Sequence, residues 1–288
     1  MWLPLALFAA FTASLGSLIT KNQVKSIHPI VVLFLNMSFV LIFMLIVLLF
    51  VGFPQLTPKF YFFMFCSSIL DVIAFSAGYW AYRHTQISIL APLNAFTPVF
   101  AMAFGALFLN EIPTIMKLVG ILTIVCGMYL LNVAEIKGGI LKPFQKLFSD
   151  KGVRLYFVQV FLWGITPIFQ KQAIFETHPT TPLFAAFFGF FLVAVYLSFY
   201  AVRKIPQEKI AIKKNIRFFI AYGLLIALAQ LAAYTVFATT YVGYATAIFS
   251  LSSLITVGLG GMLFKERHIR ERLLGASVMI IGTILLAL

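Results

Sequence analysis

The feature of this chain that most constrains its fold is an internal repeat, in which the second half resembles the first. A lysine followed seven residues later by His-Pro occurs in both halves at an offset of 150 residues: Lys21 with His28-Pro29, and Lys171 with His178-Pro179. A glutamate followed by two glycines recurs at an offset of 155 residues: Glu111 with Gly120 and Gly127, and Glu266 with Gly275 and Gly282. The sequence therefore predicts two related structural units.

The composition indicates that both units lie in a membrane. Hydrophobic residues make up 62% of the chain and charged residues 10%, which leaves too little polar material to cover a soluble surface. The net charge of +13 could indicate a nucleic-acid partner. However, the basic residues separate apolar stretches of about 20 residues, the length that a bilayer core requires. We therefore expect no nucleic-acid partner, and we assign the basic connections to membrane topology and contacts with lipid headgroups.

Apolar stretches between polar, proline and glycine residues predict an all-α polytopic membrane protein with ten transmembrane helices. They cover approximately residues 2–20, 30–52, 60–82, 88–109, 114–133, 154–172, 181–202, 216–240, 244–264 and 271–288. Because a repeat with an odd number of spans inserts its copies in opposite orientations, we expect two inverted five-helix repeats, an architecture of secondary transporters. The first repeat is expected at 1–137 and the second at 154–288, joined by a loop at 138–153.

The distribution of basic residues predicts the orientation in the membrane. Numbering the connections in chain order, we find 18 of the 21 Lys and Arg residues in odd-numbered connections, and only Lys59, Lys117 and Lys171 in even-numbered ones. The positive-inside rule then places the odd connections in the cytoplasm and both termini outside. The chain opens with Met1-Trp2-Leu3-Pro4, which lacks a basic region, so the first span is expected to remain in the mature protein rather than serve as a cleaved signal peptide.

The fourth, fifth, ninth and tenth spans together resemble a known family signature. It consists of Pro92-Leu93-Asn94-Ala95-Phe96-Thr97-Pro98, Leu107-Phe108-Leu109-Asn110-Glu111, Gly120 and Gly127, and then Phe264-Lys265-Glu266, Gly275 and Gly282. In this the chain resembles the drug/metabolite transporter superfamily, in its EamA-type branch. The resemblance implies a secondary carrier of small metabolites in a prokaryotic inner (cytoplasmic) membrane. It also implies a central cavity lined by the first, third, fourth, sixth, eighth and ninth helices.

The chain departs from that family in two respects. Bacterial relatives usually keep both termini in the cytoplasm, whereas the charges of the connections here predict the reverse. The ninth span also lacks the prolines of the fourth, because Pro92 aligns with Ala247 and Pro98 with Ser253. A helix break in the ninth span would therefore depend on its serines.

Asp71 is the main candidate for chemistry, because it lies near the middle of the third span. A carboxylate at the centre of a membrane helix costs ~2.5–3.5 kcal/mol on insertion scales, so its presence requires a reason. It could bind a substrate amine or a coupling cation, or take up and release a proton. It could equally be a structural carboxylic acid, kept neutral by desolvation and bonded to a neighbouring helix.

Further candidates come from polar and aromatic residues inside the spans. The full set predicted to bind substrate is Asp71, Tyr79, Tyr82, Asn94, Thr97, Trp163, Gln230, Tyr234, Ser250 and Ser253. Pro92 and Pro98 are predicted to break the fourth helix and free backbone groups at mid-depth. The alternative for all of these residues is helix packing, since hydroxyl, amide and aromatic side chains also bond across packed membrane helices.

Four charged residues near span ends are candidate gates: Lys21, Lys171, Glu111 and Glu266. Each also has a structural explanation. A lysine in a last helical turn is favoured by the helix dipole and can extend to the headgroups. A glutamate at such a joint can accept hydrogen bonds from the amides that begin the next helix.

The sequence patterns favour a carrier over an enzyme or a pump. The chain has no GxxxxGK[ST], HExxH or GxSxG motif, and Cys66 and Cys126 have no metal-ligand spacing. We therefore expect no catalytic residue, metal or cofactor.

The leading hypothesis is a secondary active transporter that moves a small polar metabolite, such as an amino acid or amine, by alternating access. Protons are a candidate coupling ion, membrane lipids are expected partners, and the protein would be a monomer or homodimer. The alternatives are a lipid-translocating or non-transport membrane protein and, less favoured, a membrane-embedded enzyme.

Overall fold

The computed structural model describes residues 2–109, 115–130, 148–265 and 269–287, and almost all of them are helical. The helices are α1 (Trp2–Gln23), α2 (Pro29–Val51), α3 (Pro58–His84), α4 (Ile87–Leu90), a 3₁₀ segment (Ala91–Phe96), α5 (Thr97–Leu109), α6 (Ile115–Leu130), α7 (Lys151–Phe175), α8 (Pro182–Thr239), α9 (Val242–Phe249), α10 (Ser252–Phe264) and α11 (Ile269–Ala287). Two short strands, β1 (Gln55–Leu56) and β2 (Thr177–His178), pair antiparallel.

Side-chain caps and prolines set where several helices begin. The His28 side chain accepts a hydrogen bond from the backbone N–H of Ile30 at the start of α2, and Thr57 caps α3 in the same way. Both helices have a proline in their first turn, where its fixed φ suits the helix and its missing N–H costs nothing. Asp150 caps α7 by accepting hydrogen bonds from two backbone N–H groups.

Seven helical segments of the described residues are long and apolar enough to cross a membrane. Five are α1, α2, α3, α7 and α8, and the other two are interrupted segments, Ile87–Leu109 and Val242–Phe264. The chain is therefore an integral, multi-pass membrane protein. A continuous apolar core joins α1, α2, α3, α7 and α8, and many large hydrophobic side chains on the outer faces are exposed, as expected for contact with lipid.

The sequence predicts two helices at 181–202 and 216–240, with a connection at 203–215. The structure instead has one helical segment, α8, from Pro182 to Thr239. The residues of that connection are mostly Lys, Gln, Glu, Ala and Ile, and the straight-chain members and alanine favour helix. The helical segment nevertheless turns back on itself. Tyr234 Oη lies 3.5 Å from the position that a Cβ on Gly189 would occupy. These residues would be ~67 Å apart on a straight helix, so α8 consists of two antiparallel arms, with Pro206 in the stretch between them.

The terminal helices of the two halves pack directly against each other through glycines. A Cβ placed on Gly127 of α6 would lie 2.8 Å from the carbonyl oxygen of Gly275 in α11. A Cβ on Gly282 of α11 would lie 2.7 Å from the carbonyl oxygen of Gly120 in α6. The contact is reciprocal, because Gly127 corresponds to Gly282 and Gly120 to Gly275 at the offset of 155 residues.

Candidate functional site

A cavity of about 220 Å³ lies between the two halves of the chain. Its lining residues come from α1, α3, the 3₁₀ segment, the first residue of α5, α7, both arms of α8, and the interrupted α9–α10 segment. Both halves thus contribute equivalent helices to one internal space. The family resemblance implied a cavity lined by these helices, and the structure adds the first arm of α8, through Phe190.

Most of the predicted substrate-binding residues line this cavity. They are Asp71, Tyr79, Tyr82, Asn94, Thr97, Trp163, Gln230 and Ser250. The structure places the other two predicted residues, Tyr234 and Ser253, outside the lining. Tyr234 packs its ring against Phe237, with a centroid distance of 6.2 Å, and Ser253 is buried in α10. Both belong to helical stripes that reach the cavity.

The two interrupted segments bring backbone turns to the cavity. Pro92 lies in the 3₁₀ segment and Pro98 is the second residue of α5, so the fourth predicted span is irregular where its prolines remove backbone donors. The ninth predicted span has no such proline, and its helix is interrupted at Ser250 and Leu251. Ser250 Oγ donates a hydrogen bond to the Ala247 carbonyl oxygen at 2.7 Å, a local bond of the kind that competes with helical pairing.

The Asp71 carboxyl is held between the two halves. Asp71 is the central residue of α3 and is 7% exposed. Gln170 of α7 donates a hydrogen bond from Nε2 to Asp71 Oδ2 at 3.0 Å, and Ser67 Oγ donates to the same oxygen at 3.4 Å. Asp71 therefore has both properties that the sequence left as alternatives, since it lines the cavity and bonds to a neighbouring helix.

Three residues that line the cavity each have a buried polar atom without a hydrogen-bond partner. The atoms are Asn94 Oδ1, Thr97 Oγ1 and Gln159 Oε1. Buried polar atoms in native proteins are almost always bonded, so these three are exceptions.

A chain of polar side chains extends from the cavity into the wall behind it. Tyr79 Oη donates to Tyr222 Oη at 3.0 Å, and Asn36 Nδ2 donates to Tyr79 Oη and to Gln23 Oε1, each at 3.1 Å. These bonds connect α1, α2, α3 and α8. They fix the Tyr79 and Tyr222 rings on the cavity wall.

Sequence reasoning missed most of the polar contribution of α7. Gln159, Thr166 and Gln170 line the cavity together with the predicted Trp163. These four residues recur at i, i+4, i+7 and i+11, which is one face of a helix. The signal was therefore present in the sequence as a stripe of polar and aromatic residues.

The lysine gate candidates contact the ends of helices in both halves. Lys21 Nζ donates to the carbonyl oxygens of Tyr82 and Thr85, both at 2.6 Å, at the end of α3. Lys171 Nζ donates to the carbonyl oxygen of Thr240 at 2.9 Å, at the end of α8. A cation is favoured where helix carbonyls are unpaired. The other two gate candidates, Glu111 and Glu266, lie outside the described residues.

His28 and His178 take part in local backbone structure, His28 as the cap of α2 and His178 in the strand pair. Burial of the ring lowers the pKa of His28 below its ordinary value of 6.5, Arg83 and Lys204 lower it further, and Glu208 opposes them. A neutral ring suits its cap on α2, because a protonated Nδ1 could not accept that hydrogen bond. His178 pairs with Gln55 in the two-stranded ladder. The described residues contain no group of three or more His, Cys, Asp or Glu side chains that could hold a metal.

The internal repeat is visible in the cavity lining itself. The five lining positions of α1, which are 9, 13, 16, 17 and 20, each have a counterpart 150 residues later in α7, at 159, 163, 166, 167 and 170. At an offset of 155 residues, Asp71 corresponds to Ile226, Phe75 to Gln230, and Thr97 to Ser252. The positions repeat while the chemistry differs: α1 contributes small residues, and α7 contributes amides and a tryptophan.

Comparisons with known proteins agree with this arrangement. A solved crystal structure has a TM-score of 0.65 with 13% sequence identity, covering 97% of this chain and 95% of that chain, so the two share a fold. An uncharacterised protein of Methanocaldococcus jannaschii is 33% identical over 69 residues, which is 24% of this chain. That match covers half of the relative's length. The family model of the EamA-like transporter family matches residues 1–133 and 150–288. The chain is therefore a member of the EamA-like transporter family, within the drug/metabolite transporter superfamily.

Proposed function

We propose that this chain is a secondary active transporter that moves a small polar metabolite, an amine or an amino acid, by alternating access. The observation that carries the proposal is the repeated lining of the cavity, in which five positions of α1 and five of α7 correspond at one offset. A central site built equally by two related units can be opened to either side by rocking one unit against the other. The family supports transport in general, and the cavity supplies the place for the solute.

The proposal includes ten crossings arranged as two inverted five-helix repeats, at 1–137 and 154–288, with both termini outside. The contacts between connections support the ten crossings, and the basic residues support the orientation. Those that involve odd-numbered connections are His28 with Glu208, Arg83 with Ile27, Thr85 with Asp150, and Lys25 with the Phe264 ring. Those that involve even-numbered connections are Gln55 with His178, Thr57 with Glu176, and Lys171 with Thr240. Each contact joins two connections of equal parity, as ten alternating crossings require.

Cysteine labelling tests this topology. In a variant without its native cysteines (Cys66→Ala and Cys126→Ala), we expect a cysteine replacing Lys59 to react with a membrane-impermeant maleimide in intact cells. A cysteine replacing Ser26 should react only after permeabilisation, because the first connection is placed in the cytoplasm. Both positions are exposed, so neither depends on unfolding. The reverse pattern would overturn the orientation, and labelling of both from one side would overturn the crossing of α2.

Proton coupling is the energy source that we propose, with Asp71 as the group that carries the proton. Of the described residues that line the cavity, Asp71 is the one with a formally charged side chain. Intramembrane carboxyls that face an internal cavity commonly mark proton or ion pathways. Its hydrogen bond with Gln170 connects the two halves, so a change in its charge would act directly on their contact.

Transport itself is tested with purified protein in proteoliposomes under an imposed pH gradient. We expect saturable uptake of at least one radiolabelled solute from a panel of amines, amino acids, nucleosides and sugars, and collapse of that uptake by a protonophore. A fluorescent-lipid translocation assay on the same vesicles is the control. Lipid movement without uptake of any solute would refute the carrier and favour lipid translocation.

A further inference from the structure

We propose that the cargo is a small primary arylalkylamine, whose ammonium group binds at Asp71 and whose ring lies against Trp163 and Phe75. This inference rests on the proposed carrier function and names the chemical class of its substrate. Two features of the cavity carry it: an acidic group with neutral partners, and a continuous aromatic wall.

The first feature is the charge of the binding group. The hydrogen-bond partners of the Asp71 carboxyl are Gln170 and Ser67, both of which are neutral. A buried carboxylate needs a compensating positive charge or a proton. A cationic cargo would supply that charge from inside the cavity, because Asp71 lines it.

The second feature is an aromatic wall that begins one turn from the carboxyl. Phe75 lies four residues after Asp71 on α3, and its ring meets Trp163 edge to face with centroids 5.4 Å apart. Phe190 continues the wall, with its centroid 6.1 Å from that of Phe75. Aromatic rings prefer such edge-to-face and offset contacts, and a ring on the cargo could join them.

The volume of the cavity limits the size of the cargo. The cavity holds about 220 Å³. An apolar protein cavity of about 150 Å³ accommodates benzene. The additional space here fits a single aromatic ring with a short aminoalkyl chain.

An amino acid with the same ring would carry one further group, its carboxylate. The described part of the lining offers hydroxyls, amides and aromatic rings to that group, and its charged member is Asp71, which has the same sign. We therefore expect the cavity to favour the amine over the parent amino acid. An amine and its parent amino acid differ in the carboxylate alone, so a difference in their uptake reports on that group.

The experiment measures uptake of matched pairs into proteoliposomes: phenethylamine with phenylalanine, and tyramine with tyrosine. We expect the uptake efficiency of each amine to exceed that of its amino acid at least tenfold. Thermal unfolding of the detergent-solubilised protein provides a second measurement, in which the amines should raise the midpoint more than the amino acids do. Equal or better uptake of the amino acids would overturn the inference and leave the carrier function intact. Uptake of other solutes, with no uptake of these amines or amino acids, would also overturn the inference and leave the carrier function intact. No uptake of any solute would refute the proposed function.

A Trp163→Leu variant tests the aromatic part separately. The ratio of phenethylamine uptake to n-hexylamine uptake should exceed one in the wild type and fall at least threefold in the variant. Because both amines are measured on the same protein, this ratio does not depend on how much of the variant folds. An unchanged ratio would show that the ring does not lie against Trp163.

Discussion

Replacing Asp71 by Asn is expected to abolish uptake driven by a pH gradient while leaving the protein folded. Asparagine has nearly the same shape, and its amide oxygen can still accept the hydrogen bond from Gln170 Nε2 that Asp71 accepts at 3.0 Å. It cannot carry a negative charge or exchange a proton. Breaking a buried, hydrogen-bonded charge pair costs about 2–5 kcal/mol, and each 1.4 kcal/mol is about a factor of ten. Uptake should therefore fall at least ~30-fold.

Two variants of the same helix make this result specific. Asp71→Glu retains the carboxyl and should recover part of the uptake. Ser68→Ala is the matched control, because Ser68 is buried in α3 but its hydroxyl bonds to the Phe65 carbonyl oxygen and it lies outside the cavity lining. Its uptake should match the wild type. Asp71→Asn protein that still concentrates solute under the gradient would remove both the proton-carrying and the cation-binding roles of Asp71.

The sequence could indicate that a residue reaches the cavity only where the evidence lay within a single span. A carboxyl such as that of Asp71 is unusual at any position in an apolar span, and Asn94 and Thr97 lie between two prolines of one span. Such features need no knowledge of the neighbouring helices. The structure places all three on the cavity wall.

The features that the sequence could not indicate are contacts between helices. Tyr234 lies on a plausible stripe with Gln230, but the choice between cavity and packing depends on how α8 turns back so that its arms meet near Gly189. The turn could not be inferred from propensity, because the residues of 203–215 favour helix whether or not the chain reverses. The reach of Lys21 to the end of α3 is likewise a tertiary contact, since Thr85 is 64 residues away in the sequence.

The repeat carries more structural information than any single motif. It appears in the sequence as Gly120 and Gly127 matched by Gly275 and Gly282, and in the structure as a contact in which each pair meets the other. Ile124 and Met279, which also correspond at the offset of 155 residues, are both fully buried beside those glycines. Such a reciprocal contact is what two related units form across an approximate twofold axis. The two halves therefore meet at this helix pair as well as around the cavity.

Gly127→Ala and Gly282→Ala are both expected to destabilise the protein. A Cβ on Gly127 would lie 2.6 Å from the backbone nitrogen of Met279, and a Cβ on Gly282 would lie 2.8 Å from the backbone nitrogen of Ile124. Because the opposing atoms belong to the backbone, no side-chain rotation relieves the overlap, and α6 and α11 must separate. Overpacking of this kind costs about 1–3 kcal/mol. Thermal or denaturant unfolding of the purified protein in detergent should show the loss, at similar size for both variants because the contact is reciprocal.

Gly258→Ala is the matched control, and its effect should have the opposite sign. Gly258 lies in α10, and a Cβ there would meet no atom within 4 Å. Alanine is favoured over glycine in a helix by about 1 kcal/mol, so this variant should be neutral or slightly more stable. The same gain of helix propensity applies at Gly127 and Gly282, which means that any loss measured there is a lower limit for the cost of separating the helices. If all three variants were equally stable, the close approach of α6 and α11 would not contribute to holding the two halves together.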